Sequence, residues 1–262
     1  TDEEIKSLAE SILTRYGLDF TCYEPKSLKR RVIRLLNYLE FRNVHELWVR
    51  LLRDPTFIHT FMNEISVGMT SMFRDPIMWL KLKQILEAEY RFKREINIWH
   101  SGCSSGEEVF SMGILLNEIH MQSKAKALAT DINQNALQES KSGIYHKIKM
   151  IENERNYHEF NPLGNFQRYY QTEGTNAIMQ QDLISHVDFK YHNLINDVYG
   201  NQYDIIFCRN VMIYFDNIAK HKLLHKFHDS LKPGGLFIIG FFDTLGHLLD
   251  SGKYEDLGSQ YR

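Results

Sequence analysis

The chain has 262 residues, of which 43% are hydrophobic and 24% charged, the composition of an ordinary globular protein that is long enough to bury a sizeable core. No stretch approaches the ~18–20 consecutive apolar residues of a membrane-spanning helix, and the acidic beginning of the chain is unlike a signal peptide, so we expect a cytoplasmic protein. The three cysteines are widely spaced and the twelve histidines are scattered, so the sequence indicates neither a disulfide framework nor a metal site.

The first sixty or so residues have helical periodicity and a local excess of positive charge. Residues 20–53 contain eight Lys or Arg residues and three Glu, although the whole chain has a net charge of −2. A short basic segment on an acidic body indicates a local surface for an anionic partner rather than general nucleic-acid binding. On one predicted helix Lys26, Arg30 and Arg34 recur every fourth residue, opposite an apolar stripe that begins at Leu28. They form either a solvated outer face or a partner-binding face, and the scarcity of acids favours the second.

After about residue 64 the pattern changes from helices to an alternation of strands and helices. The predicted elements, in chain order, are a connector at 65–70, a helix at 76–90, a strand at 96–100, a glycine turn at 102–106, a helix at 109–119 and a strand at 125–130. The strand, turn, helix and second strand form a βαβ unit, which predicts a parallel sheet with right-handed crossovers.

A polar segment at 143–185 interrupts this alternation. It is rich in Asn, Tyr and Gln and alternates weakly, so we predict an insertion that contains short strands. The sheet is completed by strands predicted at 187–191, 203–208 and 236–239, with a helix at 217–231 that stops before a Lys-Pro-Gly-Gly sequence.

The glycine turn leads into the start of a helix, where open parallel sheets bind their ligands. Gly102 lets a ligand approach the backbone closely, but the turn lacks the GxGxxG pattern of dinucleotide sites. Glu107 and Glu108, at the start of the helix, would repel phosphate and suit a cationic ligand. S-adenosylmethionine carries an ammonium and a sulfonium group and no phosphate, so it fits better, although acids are also ordinary residues in a first helical turn.

Two further strand ends carry polar groups at the same predicted edge of the sheet. Asp131 ends the second strand, where an acid can accept hydrogen bonds from both hydroxyls of a ribose, although a helix-capping aspartate occupies the same position. Arg209 and Asn210 directly follow the apolar strand at 203–208, and polar groups in that place are more often site residues than filler. A binding crevice is therefore expected between these strand ends.

Five separated segments, in the same order, resemble motifs of the CheR chemotaxis receptor methyltransferases, and the resemblance extends over nearly the whole chain. The segments are MTSMFRDP at 69–76, IWHSGCSSGEEVFS at 98–111, ATDIN at 129–133 with SGIY at 142–145, FKYHNL at 189–194, and FCRNVMIYFD at 207–216. The resemblance implies a Rossmann-like methyltransferase domain at 79–262, with a small β-subdomain inserted at about 143–185. It also implies an all-helical domain at 1–65 and a linker with cofactor contacts at 66–78.

The same resemblance implies a reaction and partners. The cofactor is S-adenosylmethionine, the product is S-adenosylhomocysteine, and the methyl acceptors are glutamate side chains in the cytoplasmic signalling region of chemotaxis receptors. The basic helix with Lys26, Arg30 and Arg34 would contact the receptor, and some members use the β-subdomain to bind a receptor tail. We expect a monomer that is recruited to membrane receptors without inserting into the membrane.

Site residues follow from the resemblance position by position. The cofactor-binding set comprises Gly68, Thr70, Arg74, Gly102, Glu107, Asp131, Asn193, Leu194, Arg209 and Asn210. Within it, Glu107 is implied at the amino-acid end of the cofactor and Asp131 at the ribose. A glutamate carboxylate is ionised near neutrality, so no general base is required. We expect Arg74 or Arg209 to hold one carboxylate oxygen while Tyr214, near the transferred methyl group, orients the acceptor.

Two departures from the family pattern leave alternatives open. Gly68 stands where the family often has Asn, and Gly-Phe-Phe-Asp at 240–243 replaces Gly-His-Ser-Glu, which predicts the loss of a polar strand end near the catalytic crevice. An alternative is a cofactor-binding module with a different protein substrate or a partner-recruiting role. A nucleotide-dependent oxidoreductase on the same sheet would need a pyrophosphate loop that the sequence lacks.

Overall fold

A computed structural model describes residues 1–66, 68, 70–200, 202–243, 245, 248 and 252–257. Met69, the first residue of the MTSMFRDP segment, lies outside the described residues, as does the end of the predicted methyltransferase domain at 258–262. In the described part of the chain, no helix has both the length and the apolar character needed to cross a membrane.

The predicted helical beginning of the chain is confirmed and has a hydrophobic core of its own. Its helices are α1 Asp2–Tyr16, α2 Pro25–Tyr38, α3 Val44–Arg53 and α4 Phe57–Ile65. Helix α1 begins with a capping box between Thr1 and Glu4 and ends at Gly17, whose φ of 69° suits a residue without a Cβ atom. Leu35 and Leu47, both fully buried, lie at the centre of the core shared by the four helices.

The remaining elements confirm the alternation of strands and helices. In chain order they are α5 Pro76–Ile85, continued by a π-helical turn Leu86–Tyr90, then β1 Ile96–Ser101, α6 Glu107–Glu118, β2 Ala125–Asp131, α7 Gln134–Ser142, β3 Ile144–His146, α8 Lys147–Phe160, β4 Tyr170–Glu173, β5 Asn176–Met179, β6 Val187–Tyr191, β7 Tyr203–Cys208, α9 Asn217–Ser230 and β8 Leu231–Ile239.

Strands β6, β2, β1, β7 and β8 form a parallel sheet in that order. The chain passes from β1 to β2 and then, after the insertion, to β6 on the same side of β1, whereas β7 and β8 lie on the other side, so the order reverses between β1 and β7. Every residue of β7 is buried, including Asp204, as the strongly apolar character of the segment predicts. A reversal of this kind opens a crevice at the carboxyl ends of β1 and β7.

The inserted segment forms a three-stranded antiparallel sheet, β3–β5–β4, as predicted, but it also contains the 14-residue helix α8, which we did not predict. The buried face of α8 includes Asn153 and Asn156 between Met150 and Tyr157. Because two amides interrupt the apolar stripe, the sequence lacks a clear helical period. The Lys-Pro-Gly-Gly sequence was predicted to separate the last helix from the last strand. In the structure Pro233–Gly235 lie inside β8, where the pairing with β7 shifts in register.

The helical domain meets the sheet through the segment that precedes α2. Tyr23 forms an isolated antiparallel bridge with Phe215, and the backbone N–H of Glu24 donates to the carbonyl of Tyr214 at 2.9 Å. The N–H of Asp216 donates in turn to the Cys22 carbonyl at 2.9 Å. These bonds hold the beginning of α2 next to the carboxyl ends of the parallel strands.

Candidate functional site

A cavity of about 590 Å³ lies at this edge of the sheet, with walls from the helical domain, the connector and the strand ends. Its volume is in the range of small-molecule sites. Of the predicted cofactor-binding and catalytic residues, those that line the cavity are Gly68, Thr70, Arg74, Gly102, Asp131, Asn193, Leu194, Arg209, Asn210 and Tyr214. Glu107 is the exception.

The glycine turn after β1 is fixed by its contacts on both sides. The N–H groups of Gly102 and Cys103 donate to the Thr130 carbonyl at 2.8 and 2.9 Å. Gly102 has a φ of 74°, and a Cβ atom there would lie 2.6 Å from Val211 Cγ2. The position therefore requires glycine, and the bare backbone lets a ligand lie close to the turn.

Asp131 links this turn to the end of β2. Its Oδ2 accepts a hydrogen bond from Ser104 N at 2.8 Å, and its Oδ1 accepts one from Asn133 N at 2.8 Å. Burial raises the pKa of Asp131, and these backbone N–H groups oppose that rise. A carboxylate has about four lone-pair sites, so the two oxygens can still accept hydroxyl groups from the cavity. A contact to the hydroxyls of a ribose, as predicted for Asp131, is compatible with this geometry.

Glu108, and not Glu107, presents an acid to the cavity. The Glu107 side chain is fully buried, where it accepts from Ser105 Oγ at 2.7 Å and pairs with Lys149 Nζ at 2.9 Å. Glu108 lines the cavity instead. The two acids are adjacent in sequence but leave the helix about 100° apart, so only one of them can face the ligand. The structure thus places Glu108, and not the predicted Glu107, at the cavity wall, where an acid could meet the cofactor's amino-acid end.

Arg209 is enclosed by acids and has only 4% of its side chain exposed. Its Nη2 donates to Asp75 Oδ2 at 2.6 Å and to the Arg74 carbonyl at 2.9 Å, and its Nη1 lies 3.5 Å from Glu108 Oε2. Glu108 also pairs with His100 Nδ1 at 2.9 Å. Because its charge is already paired, Arg209 is suited to hold the linker at 66–78 and Glu108 in place rather than to clamp a substrate carboxylate.

The loop after β7 is held by Asp243, which lies four residues after the end of β8. This carboxylate is 1% exposed and accepts from the N–H groups of Asn210 at 2.6 Å, Gly240 at 2.8 Å and Ile213 at 3.1 Å. Burial raises the pKa of Asp243, and the three N–H groups oppose the rise. The sequence predicted the loss of a polar strand end here, and that prediction was wrong. An acid at the fourth position of the Gly-Phe-Phe-Asp run still anchors the loop that carries Tyr214.

A residue that we did not predict, Arg31 of α2, completes the wall at Tyr214. Its guanidinium carbon lies 3.8 Å from the centre of the Tyr214 ring, and its Nη1 donates to the Ile65 carbonyl at 2.7 Å. Its Nε and Nη2 are buried and have no hydrogen-bond partner among the described residues. Burial lowers the pKa of the guanidinium, which stays charged because an arginine pKa starts so high.

A buried cation with unsatisfied N–H groups at the cavity wall is suited to an anionic partner. The sequence did contain a signal, because Arg31 follows Leu28 by three residues and precedes Leu35 by four, so it belongs to the apolar stripe. A charged residue within a buried stripe requires a partner or a function.

The predicted basic face is exposed. Lys26, Arg30 and Arg34 point to solvent, while Leu28 and Val32 are buried in the helical core. Arg34 also donates from Nη2 to the Glu64 carbonyl at 2.8 Å. The predicted arrangement of two opposite faces on α2 is therefore present, and what binds the basic face stays a prediction.

The cavity provides what S-adenosylmethionine requires. Asp131 suits the ribose hydroxyls, Glu108 suits the ammonium group, and Ile132 and Leu194 offer apolar surface for the adenine. The buried Nδ2 of Asn210 has no hydrogen-bond partner among the described residues, so it can donate to a ligand. Over the same described residues, no group of three or more His, Cys, Asp or Glu could hold a metal ion.

The chain matches two family models, one after the other. Residues 3–66 match "CheR methyltransferase, all-alpha domain", and residues 68–257 match "CheR methyltransferase, SAM binding domain". The chain is 35% identical to a putative methyltransferase, Cher3, of Pseudomonas putida, over 98% of this chain and 94% of that protein. It is 29% identical to a chemotaxis protein methyltransferase of Listeria innocua, over 90% and 88%, and 27% identical to one of Escherichia coli K12, over 95% and 86%.

Proposed function

The chain belongs to the CheR methyltransferase family and is an S-adenosylmethionine-dependent methyltransferase; on that premise, we propose that it methylates glutamate side chains in the cytoplasmic signalling region of chemotaxis receptors. The products are glutamate methyl esters and S-adenosylhomocysteine. Each turnover removes one negative charge from the receptor, which makes the reaction suited to sensory adaptation.

The observation that carries the proposal is the pairing of Arg31 with Tyr214 at one wall of the cofactor cavity. An enzyme that methylates a neutral hydroxyl needs a base to ionise its acceptor. Here the cavity offers a buried cation with unsatisfied N–H groups, which favours an acceptor that already carries a negative charge. A glutamate carboxylate, with a reference pKa of ~4.3, meets this requirement without a base.

The chemistry is a single displacement. S-adenosylmethionine, when bound, would supply a methyl group on a positively charged sulfur, which can pass to a carboxylate oxygen while the carbon–sulfur electron pair stays with sulfur. Arg31 holds the other carboxylate oxygen, and the Tyr214 hydroxyl orients the acceptor. Asp243 holds the loop of Tyr214, and Arg209 holds Glu108, so both act by positioning other groups.

The receptor is recognised outside the cavity by the basic face of Lys26, Arg30 and Arg34. A receptor helix that carries several glutamates is acidic, and a row of exposed cations beside the cavity attracts and orients it. We propose that the enzyme acts in the cytoplasm and that this attraction recruits it to membrane receptors.

The test is to incubate the purified protein with methyl-labelled S-adenosylmethionine and a cytoplasmic receptor fragment. Label released by mild base as methanol is the expected result, and a fragment with its methyl-accepting glutamates changed to glutamine is the control. Cofactor binding in calorimetry without label in any receptor carboxylate would reject the proposal and favour the partner-recruiting module.

A further inference from the structure

The inserted subdomain contributes one side chain to the cofactor cavity. Of residues 143–185, all of which the structure describes, Lys149 alone lines the cavity. Its helix, α8, is fixed to the linker at 66–78 because Asn153 Oδ1 accepts from Met72 N at 2.9 Å and Asn156 Nδ2 donates to the Met72 carbonyl at 3.1 Å. Lys149 precedes Asn153 by one helical turn, so it lies on the face of α8 that meets this linker.

The Lys149 ammonium pairs with a buried acid that lies outside the cavity. Its Nζ lies 2.9 Å from Oε1 of Glu107, which is fully buried and does not line the cavity. Burial raises the pKa of Glu107, and the neighbouring Lys149 opposes the rise. An ammonium has three N–H donors, and Glu107 takes one of them. The side chain is 44% exposed, so its remaining donors can reach a ligand.

S-adenosylmethionine has one negatively charged group, the carboxylate of its methionine part. The acids of the cavity fit its other groups, since Asp131 suits the ribose and Glu108 suits the ammonium. Gly68 has no side chain, and a Cβ atom built there would have only Ser104 Oγ within 4 Å, at 3.8 Å, so the space beside Ser104 is open. A carboxylate has room there, beside the loop that leads to Glu107.

We infer that Lys149 binds the carboxylate of S-adenosylmethionine, with Glu107 positioning its ammonium. This deepens the proposed function, on which it rests, because it assigns a further cofactor-binding residue to the same site. The inserted subdomain is thereby part of the cofactor site as well as a surface feature. Glu107 contributes to the amino-acid end indirectly, through the cation that it holds.

The test compares S-adenosylmethionine with its decarboxylated form, which lacks only the carboxylate. Calorimetry should show that the native protein prefers the complete cofactor. Lys149→Met should lose about five- to tenfold of its affinity for S-adenosylmethionine, a modest loss because the side chain is partly exposed to water. Its affinity for the decarboxylated form should not fall. Lys149→Arg should keep the preference.

Lys147→Met is the matched control, because it removes an exposed cation from the same helix outside the cavity. It should behave as the native protein does. The inference is overturned if Lys149→Met weakens both ligands equally, or weakens neither. A native protein that shows this preference but methylates no receptor would reject the proposed substrate and leave the role of Lys149 standing. If the native protein methylates the receptor but Lys149→Met keeps the native preference for the complete cofactor, the proposed substrate stands and the role of Lys149 is rejected.

Discussion

The two ends of the cavity are built in different ways. At the cofactor end, Asp131 and the glycine turn belong to one domain, and the turn is fixed by backbone hydrogen bonds between neighbouring strand ends. At the acceptor end, Arg31 comes from the helical domain and Tyr214 from the loop after β7, and a cation–π contact joins them.

This difference assigns separate tasks to the two ends. A cofactor binds at one place in every turnover, so a site built from backbone within one domain is suited to hold it. The acceptor is a side chain of another protein, and both domains must contribute to the wall that receives it. Changes at the cofactor end should therefore act on cofactor affinity, and changes at the acceptor end on turnover.

The largest effect is expected for Arg31→Met, which removes the cation but keeps a long side chain. Turnover on a receptor fragment should fall by about a hundredfold or more, the scale seen when a charge-stabilising donor is removed from a reacting group. Affinity for S-adenosylmethionine should change little. Steady-state kinetics and calorimetry measure the two quantities separately.

Arg53→Met is the control for this variant, since it removes an exposed cation of the same domain that does not line the cavity. Thermal unfolding should show that both variants fold. If Arg31→Met weakens the cofactor as much as it lowers turnover, Arg31 belongs to the cofactor end, and the division between the two ends is wrong.

At the cofactor end, Asp131→Asn should weaken S-adenosylmethionine by about tenfold to a hundredfold, because the hydrogen bonds that the ribose hydroxyls donate would lose a charged acceptor. Turnover at saturating cofactor should fall much less. Calorimetry on the folded variant gives the affinity. Unchanged affinity would show that the acid is only a structural anchor for Ser104 and Asn133.

Asp131 should also make the affinity for S-adenosylmethionine depend on pH. Because burial raises the pKa of Asp131, this group takes up its proton at a higher pH than an ordinary aspartate. Affinity for S-adenosylmethionine should be highest above that pKa and should fall as the pH is lowered through it, and Asp131→Asn should lack this fall. The pKa of Asp131 is higher in the folded than in the unfolded protein, so its protonation at low pH stabilises the folded state. The loss of affinity is therefore not explained by unfolding that this group causes.

Asp243→Asn is the counterpart of Asp131→Asn, because it neutralises a buried carboxylate that also accepts backbone N–H groups but does not line the cavity. The amide would leave at least one N–H group of the loop poorly paired, so the loop should be held less firmly. Turnover should fall by about tenfold, with cofactor affinity within about twofold of native. A larger loss of affinity than of turnover would contradict the positioning role.

The same division explains what the sequence could predict. The cofactor end follows from local patterns, since Asp131 and Gly102 lie at strand ends whose order can be inferred from alternation. The orientation of Glu107 and Glu108 depends on which side of α6 faces the crevice, and both acids satisfy the same sequence pattern. Arg31 could not be assigned, because its partner lies in a different domain, 183 residues later, and only the packing of α2 on that loop brings them together.

The smallest effect is expected outside the cavity, at the basic face. Arg30→Glu with Arg34→Glu should leave folding and cofactor affinity intact, although Arg34 loses its bond to the Glu64 carbonyl. Receptor methylation should fall several-fold at low ionic strength and approach native at high salt, because exposed charges act on encounter and are screened over about 10 Å.

The matched control is Arg91→Glu with Arg94→Glu, which makes the same change in net charge at exposed positions just before β1, at the opposite edge of the sheet from the cavity. If both double variants lose the same activity, the net charge of the protein attracts the receptor, and the basic face has no special role. If only the α2 variant is slow, and only at low salt, the receptor approaches across α2. The helix that supplies Arg31 to the acceptor end would then also guide the acceptor to it.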